Sequence, residues 1–184
     1  PTSAGVLEGA GVPPQSLTRI IGVSKAYSTR VGEGPYITEL LGDEGEALRQ
    51  KGFEFGATTG RPRRCGWLDL PVVKQAVRIN GLTDIAMTKI DILTGYDKIP
   101  VCVGYDLDGK QIDYVPASLE VYGRYKPVWK VFDGWTEDIS QIRNYEDLPE
   151  NCRKYVEFIE EQIGYPITMV SNGPGRDDII YRTK

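Results

Sequence analysis

The stretch Asp-Ile-Ala-Met-Thr-Lys-Ile-Asp-Ile, residues 84–92, decides the fold. Its apolar run predicts a buried strand over 84–88. A helix is predicted directly before this strand, because Asp69 is suited to cap a helix start and Gly81 to end one. A helix that leads into a nearly continuous apolar strand is typical of a parallel sheet covered on both faces. We therefore predict an α/β fold whose sheet is mostly parallel and flanked by helices.

Outward from this stretch, the spacing of apolar residues predicts further elements. Helices are predicted over 17–26, 43–50 and 151–164, and a second buried strand over 167–170. Residues 1–16 carry Gly, Pro and small side chains without periodicity, so they are predicted to be loop.

The α/β alternation is predicted to be interrupted by an antiparallel segment. Asp108-Gly109 lies between two apolar runs, 100–105 and 111–115, which is a strong hairpin signal. We therefore interpret 96–148 as an antiparallel or irregular insertion within a single unit that covers 1–184.

The composition excludes several function classes. A net charge of −4 does not favour general binding to nucleic acid or to anionic membranes. No run approaches the roughly eighteen apolar residues of a membrane span, so we expect a soluble protein. Three widely separated cysteines are most simply explained as reduced thiols, so we expect it to be cytoplasmic. Histidine is absent and the three cysteines lack metal-ligand spacing, which removes Ser-His and Cys-His pairs.

Because the chain starts at Pro1 inside a Gly-rich segment, we expect it to be a fragment.

The polar end of the predicted strand, Thr88-Lys89-Ile90-Asp91, is suited to bind guanine. Guanine offers two adjacent N–H donors, and the carboxylate of Asp91 has two acceptor oxygens, whereas adenine would present an acceptor to it. The alternative is an ordinary strand end with a solvated Lys89 and a capping Asp91. No phosphate-binding loop G-x-x-x-x-G-K-[ST] occurs in the chain, so this motif is half of a nucleotide site.

The segment Gly56-Ala57-Thr58-Thr59-Gly60-Arg61-Pro62-Arg63-Arg64, here called the arginine loop, concentrates three guanidinium groups in an acidic protein. Arginine forks bind carboxylate or phosphate bidentately, and Thr hydroxyls fill the remaining lone pairs. The alternatives are three solvated arginines, an arginine–carboxylate network, or a nucleic-acid patch, which lacks interleaved aromatics.

A second polar loop follows the strand at 167–170 and begins Ser171-Asn172-Gly173. Ligands of open α/β sheets bind beyond the carboxyl ends of strands. If the strands at 84–88 and 167–170 are neighbours, this loop lies beside the base held by Asp91. The alternative is an ordinary Gly/Pro turn.

Taken together, these segments resemble the adenylosuccinate synthetase family. The resemblance rests on 25–32, 56–64, Gly66-Trp67-Leu68-Asp69, 88–91 and 171–174, in order and with matching separations, and it corresponds to the C-terminal portion of a larger P-loop-related ligase fold. It implies a cytoplasmic homodimer of purine nucleotide synthesis that couples GTP hydrolysis to the ligation of IMP and L-aspartate, through 6-phosphoryl-IMP and with Mg²⁺.

The resemblance also implies residue roles. The loop of Ala57, Thr58, Thr59, Gly60, Arg61, Pro62 and Arg63 would close on aspartate, and Arg61 and the backbone of Val31 would reach the IMP ribose. Arg63 would sense the GTP phosphates. Lys89, Ile90 and Asp91 would contact guanine, as would the loop of Ser171, Asn172 and Gly173, although Asn172 itself is given no role.

The resemblance places the phosphate loop, the catalytic aspartate and histidine and the Mg²⁺ ligands in an N-terminal portion outside this chain. We therefore expect no catalytic residue, no metal ligand and no catalysis from these 184 residues alone. Two alternatives stay open: a stand-alone guanine-nucleotide or anion-binding module without catalysis, and a structural or dimerisation fragment.

Overall fold

The computed structural model describes residues 2–182, so the predicted start of a fragment at Pro1 lies outside the described residues. It contains five helices, α1 to α5, and ten strands, β1 to β10. The helices are α1 (Ala4–Ala10), α2 (Gly42–Lys51), α3 (Leu70–Asn80), α4 (Leu119–Tyr122) and α5 (Glu150–Ile163). The strands are β1 (Ile21–Lys25), β2 (Ser28–Arg30), β3 (Arg64–Gly66), β4 (Leu68–Asp69), β5 (Asp84–Thr88), β6 (Lys98–Leu107), β7 (Lys110–Ile112), β8 (Lys126–Asp133), β9 (Ile167–Ser171) and β10 (Ile179–Tyr181). Short 3-10 turns cover Pro14–Ser16, Ile90–Leu93 and Tyr145–Asp147.

The main sheet has the strand order β1-β5-β9-β10. β5 is parallel to β1 and β9, and β10 is antiparallel to β9. The register sets Met87 beside Val170, so the carboxyl ends of β5 and β9 lie side by side. This confirms the predicted α/β class with a mostly parallel main sheet.

The antiparallel segment forms a second sheet. β6 pairs antiparallel with β7 and β8 and parallel with β4. Its hairpin turns at Asp108 and Gly109, which both have positive φ, as the predicted turn requires. β2 and β3 form a separate two-stranded antiparallel sheet.

Helices α3 and α5 cover the sheets, and their ends follow the sequence signals. Asp69 caps α3 by accepting a hydrogen bond from the Val72 N–H, and Gly81 ends it in a left-handed conformation. α5 likewise ends at Gly164. Buried Tyr155 of α5 donates a hydrogen bond to the Ala26 carbonyl at 2.6 Å, which fastens this helix to the end of β1.

Two predictions of local structure were wrong. The segment 17–26, predicted to be a helix, instead contains strand β1, because its backbone pairs in parallel with β5 from Ile21 to Lys25. Part of the predicted loop 1–16 is helix α1, which has no buried residue.

Within residues 2–182, no helix is both long and apolar enough to cross a membrane.

Candidate functional site

The candidate site lies where β1 and β5 end. Lys89 follows β5 with a φ of 62°, a left-handed conformation that is uncommon for a lysine. It opens the 3-10 turn Ile90–Leu93, which carries Asp91. The Lys89 ammonium donates to the Gly52 carbonyl at 2.5 Å and to Glu54 Oε1 at 2.9 Å. Hydrogen bonds from Lys89 therefore connect the predicted guanine motif to the segment that precedes the arginine loop.

Glu54 is the centre of a buried charge cluster. Its side chain has no solvent exposure, and both carboxylate oxygens are saturated. Oε2 accepts from Lys25 Nζ and from Arg63 Nη1, each at 2.7 Å. Oε1 accepts from the Tyr27 hydroxyl at 2.6 Å and from Lys89. We call these five residues the Glu54 cluster.

The cluster keeps Glu54 ionised. Burial raises the pKa of this carboxyl, but hydrogen bonds from its four neighbours outweigh burial and hold the pKa at about 2. Conversely, burial lowers the pKa of Lys25, with nearby Lys89 and Arg63 adding to the effect. Three cations around one carboxylate leave an excess of positive charge in a protein whose net charge is −4.

The arginine loop is a small hairpin that projects from this cluster. Phe55 and Pro62 form an antiparallel bridge, and the Arg63 N–H donates to the Glu54 carbonyl at 2.9 Å. Residues 57–61 at its tip are exposed. The exposed tip contains most of the side chains predicted to meet substrate.

The three arginines of this loop have different surroundings. Arg61 is exposed, and its guanidinium has no hydrogen-bond or ion-pair partner among the described residues. Arg63 binds Glu54, and Arg64 binds Glu39 through two nitrogens. The arginine–carboxylate network considered from the sequence therefore holds for Arg63 and Arg64 but not for Arg61.

Arg64 also positions the loop that contains Val31. Its Nη1 donates to the carbonyls of Gly32 and Gly34, at 3.1 and 2.9 Å. Val31 itself is 76% exposed. A cleft of about 340 Å³ opens alongside, between β1, β2 and the start of α3, and its polar lining includes Lys25, Thr29, Arg30 and Asp69.

Asp91 is half-buried beside the loop that follows β9. Burial raises the pKa of its carboxyl, and the nearby carboxylate of Asp178 raises it further, against the lowering effect of two backbone N–H groups and of Lys89. No side chain in the described range donates a hydrogen bond to it. The 3-10 turn of Asp91 packs against β9. The structure thus brings Asp91 close to the end of β9, where the loop that begins at Ser171 follows.

The loop over 171–178, here called the C-terminal loop, is closed by Asp178. Its Oδ2 accepts from the Gly175 N–H at 2.7 Å, and its Oδ1 accepts from Arg143 at 3.1 Å. A Cβ on Gly173 would lie 2.5 Å from the Asp178 carboxylate, so a side chain at this position would displace that carboxylate. The Ser171 hydroxyl donates to the Gly173 carbonyl at 2.9 Å.

Asn172 uses its side chain inside the fold. It is fully buried, and its amide donates to the carbonyls of Ile139 and Ile142 at 2.6 and 2.9 Å. The side chain therefore anchors the C-terminal loop to the 139–142 segment and does not face a ligand. The Asn172 backbone N–H is also used internally, since it donates to the Asp178 carbonyl at 3.1 Å.

Sequence reasoning missed the cluster that joins these parts. The sequence motifs assign no role to Lys25, Tyr27 or Glu54. A signal was available in the stretch Gly52-Phe53-Glu54-Phe55-Gly56, where one carboxylate stands between aromatic residues and glycines. An acidic residue in such a setting is buried only when cations compensate it.

The described residues do not form a metal site of their own. No group of three or more Cys, Asp or Glu side chains in residues 2–182 is arranged to hold a metal ion. The Mg²⁺ that the resemblance implies would take its ligands from the portion of the relatives that this chain does not span.

Comparison with known sequences identifies relatives along nearly the whole chain. The profile of the adenylosuccinate synthetase family matches residues 1–180. The adenylosuccinate synthetase of Fusobacterium nucleatum is 54% identical over 181 residues, and that of Clostridium novyi (strain NT) is 56% identical over 178. These alignments cover 98% and 97% of this chain but 43% and 42% of the relatives. The chain thus spans less than half the length of the curated relatives that it matches.

Solved structures match the fold. The structure of fully ligated adenylosuccinate synthetase from Plasmodium falciparum has a TM-score of 0.95 and 41% identity, over 99% of this chain and 44% of that one. The succinoaminodeoxyadenylate synthetase of cyanophage S-2L, bound to dGMP and dATP, has a TM-score of 0.53 at 16% identity, over 98% of this chain and 38% of that one. At that identity the likeness concerns the fold alone.

Proposed function

This chain belongs to the adenylosuccinate synthetase family, and from that premise we propose that the protein it is part of is a GTP-dependent ligase joining IMP and L-aspartate. In this proposal the chain is the C-terminal part and supplies guanine recognition and the aspartate-binding loop. The observation that carries it is the half-buried Asp91 carboxylate, which no cationic side chain neutralises by direct contact in the described residues and which lies beside the C-terminal loop.

Guanine recognition follows from the chemistry of Asp91. An ionised carboxylate accepts two hydrogen bonds in parallel, which matches the two adjacent donors of guanine. Partial burial makes an unmatched partner costly, because a desolvated carboxylate that faces an acceptor loses roughly 1–3 kcal/mol. The methylene stem of Lys89 can lie along the purine face, while its ammonium is held by Glu54 and Gly52.

Aspartate recognition follows from the exposed tip of the arginine loop. Arg61 offers a guanidinium fork without an internal partner, and Thr58 and Thr59 offer hydroxyls beside it. These groups suit the carboxylates of a small dicarboxylic acid. Arg63 emerges from the positively charged Glu54 cluster and suits the GTP phosphates.

The remaining properties of the enzyme are inferred from the family. We infer a cytoplasmic homodimer in purine nucleotide synthesis that uses Mg²⁺. The phosphate loop, the catalytic residues and the Mg²⁺ ligands would belong to the part of the relatives that this chain does not span. The chain alone would then bind substrates incompletely and would not catalyse the ligation.

The proposal is tested in a complete enzyme, in which this chain replaces the matching segment of the Fusobacterium nucleatum relative. Asp91→Asn presents an N–H to a donor edge, so the Michaelis constant for GTP should rise roughly tenfold or more, since hydrogen bonds to charged groups are worth about 1.5–3 kcal/mol. The Michaelis constant for IMP should stay unchanged. Steady-state kinetics with each substrate varied in turn measures both.

Asp97→Asn is the matched control, because Asp97 is an exposed carboxylate a few residues along the chain. It should leave both constants unchanged. An equal loss for GTP and IMP in Asp91→Asn would contradict guanine recognition by this residue, and a complete enzyme without GTP-dependent ligation would contradict the proposed function itself.

A further inference from the structure

Glu54 contacts three separate parts of the site at once. Lys25 and Tyr27 come from the end of β1 and the turn after it, Arg63 from the base of the arginine loop, and Lys89 from the end of β5. Glu54 binds Arg63 twice, since its carbonyl accepts the Arg63 N–H and its carboxylate accepts the guanidinium.

The cations of this cluster need the carboxylate to stay together. Lys25, Arg63 and Lys89 all lie within hydrogen-bond distance of the same two oxygens, so without Glu54 they would repel one another. Glu54 is wholly buried, while the three cations are each about 26–33% exposed at their side chains. The cations therefore present a positive face to the site, and the carboxylate that fixes them stays behind it.

We propose that Glu54 is a positioning residue that couples the guanine motif to the arginine loop by holding Lys89 and Arg63 on one carboxylate. The proposal rests on the proposed function, because it assigns Lys89 to the guanine side and Arg63 to the phosphate side and the aspartate loop. Glu54 touches no substrate and acts through these two side chains. Its loss should affect GTP and aspartate together, whereas changes at Asp91 or Arg61 should affect one of them.

A second buried carboxylate provides a control for a merely structural effect. Asp84 is 4% exposed and accepts hydrogen bonds from Arg19, Thr83 and Thr168. It lies at the opposite end of β5 from Lys89 and contacts none of the cations of the Glu54 cluster. Asp84→Asn removes a buried, multiply hydrogen-bonded charge of the same kind, away from the site.

The experiment compares Glu54→Gln, Glu54→Asp and Asp84→Asn in the complete enzyme defined above. Glu54→Gln places an amide donor among four donors, and Glu54→Asp keeps the charge but is one methylene too short to reach all of them. Melting temperature, kcat and the Michaelis constants for GTP and aspartate are measured for each variant. Glu54→Asp keeps the test interpretable if Glu54→Gln fails to fold.

We expect both Glu54 variants to raise the Michaelis constants for GTP and aspartate together, by roughly tenfold or more for Glu54→Gln and less for Glu54→Asp, since small misplacements of positioned groups cost up to about a hundredfold. Asp84→Asn should lower the melting temperature and leave both constants within about twofold. A lowered melting temperature with both constants unchanged in Glu54→Asp would overturn the proposal, as would a rise in one constant only. If the unmutated complete enzyme is inactive, the proposed function fails and not this coupling.

Discussion

Asp69 shows how a single residue links helix capping to pH. Its carboxyl is buried and caps α3, and the Tyr105 hydroxyl donates to it at 2.6 Å. Burial raises its pKa to about 6, although hydrogen bonds from Tyr105, the Val72 N–H and Tyr122 oppose the rise. The folded state therefore binds the Asp69 proton more tightly than the unfolded chain does. The protonated Asp69 carboxyl therefore adds to the stability of the folded state. This contribution is fully present below about pH 4 and is lost as the pH rises through about 6.

Asp69→Asn should remove this dependence, because an asparagine stays neutral and still caps a helix. The free energy of unfolding of the variant, relative to that of the unmutated complete enzyme, should rise by roughly 2–3 kcal/mol between about pH 4 and 6.5. Its relative melting temperature should rise over the same range. Thermal unfolding at a series of pH values measures the difference. Asp113→Asn, at an exposed carboxylate, is the control. A difference that does not change with pH would rule out Asp69 as the titrating group.

In the proposed function, the arginine loop is the element that binds aspartate. Arg61→Lys keeps the charge but replaces a planar fork by a single ammonium, so the Michaelis constant for aspartate in the complete enzyme should rise roughly tenfold. Because the Arg61 side chain has no internal partner in the described residues, the melting temperature should not change. Steady-state kinetics with aspartate varied gives the constant.

Arg78→Lys is the control for that substitution, since Arg78 is exposed on α3 away from the loop. It should change neither aspartate binding nor stability. An unchanged Michaelis constant for aspartate in Arg61→Lys would show that the loop does not recognise its ligand through this arginine.

Elements were predictable where their signals are local. The cap of α3 at Asp69, its end at Gly81 and the hairpin at Asp108-Gly109 depend on hydrogen bonds and backbone angles within a few residues. The helix predicted over 17–26 failed because its few apolar positions suit either state. Pairing with β5, about sixty residues away in the sequence, makes this segment a strand.

At the largest scale, β1 is an edge strand of the main sheet within residues 2–182. In the described part of the chain it pairs with β5 on one side and with no strand on the other. Val23 on this strand is 75% exposed and Ile21 is 41% exposed. Unpaired backbone groups beside exposed β-branched side chains favour association between strand edges.

The isolated chain should therefore self-associate as its concentration rises, and Val23→Lys should reduce this association by placing a charge on the edge. Sedimentation velocity over a concentration series measures it. Leu119→Lys is the matched control, because Leu119 is 67% exposed but lies on α4 and not on a sheet edge. Equal association of Val23→Lys and the unmutated chain would place the contact elsewhere.

The sequence by itself determined the α/β class, the ends of α3 and α5, the hairpin and the family, because these follow from short-range signals and from motifs in order. Only the tertiary structure decided that Asp91 lies beside the C-terminal loop, that Asn172 points inward, and that Arg63 and Lys89 share Glu54. The physical reason is the range of the interactions. A cap or turn is satisfied within a few residues, whereas a buried carboxylate takes its partners from whichever segments the fold brings to it.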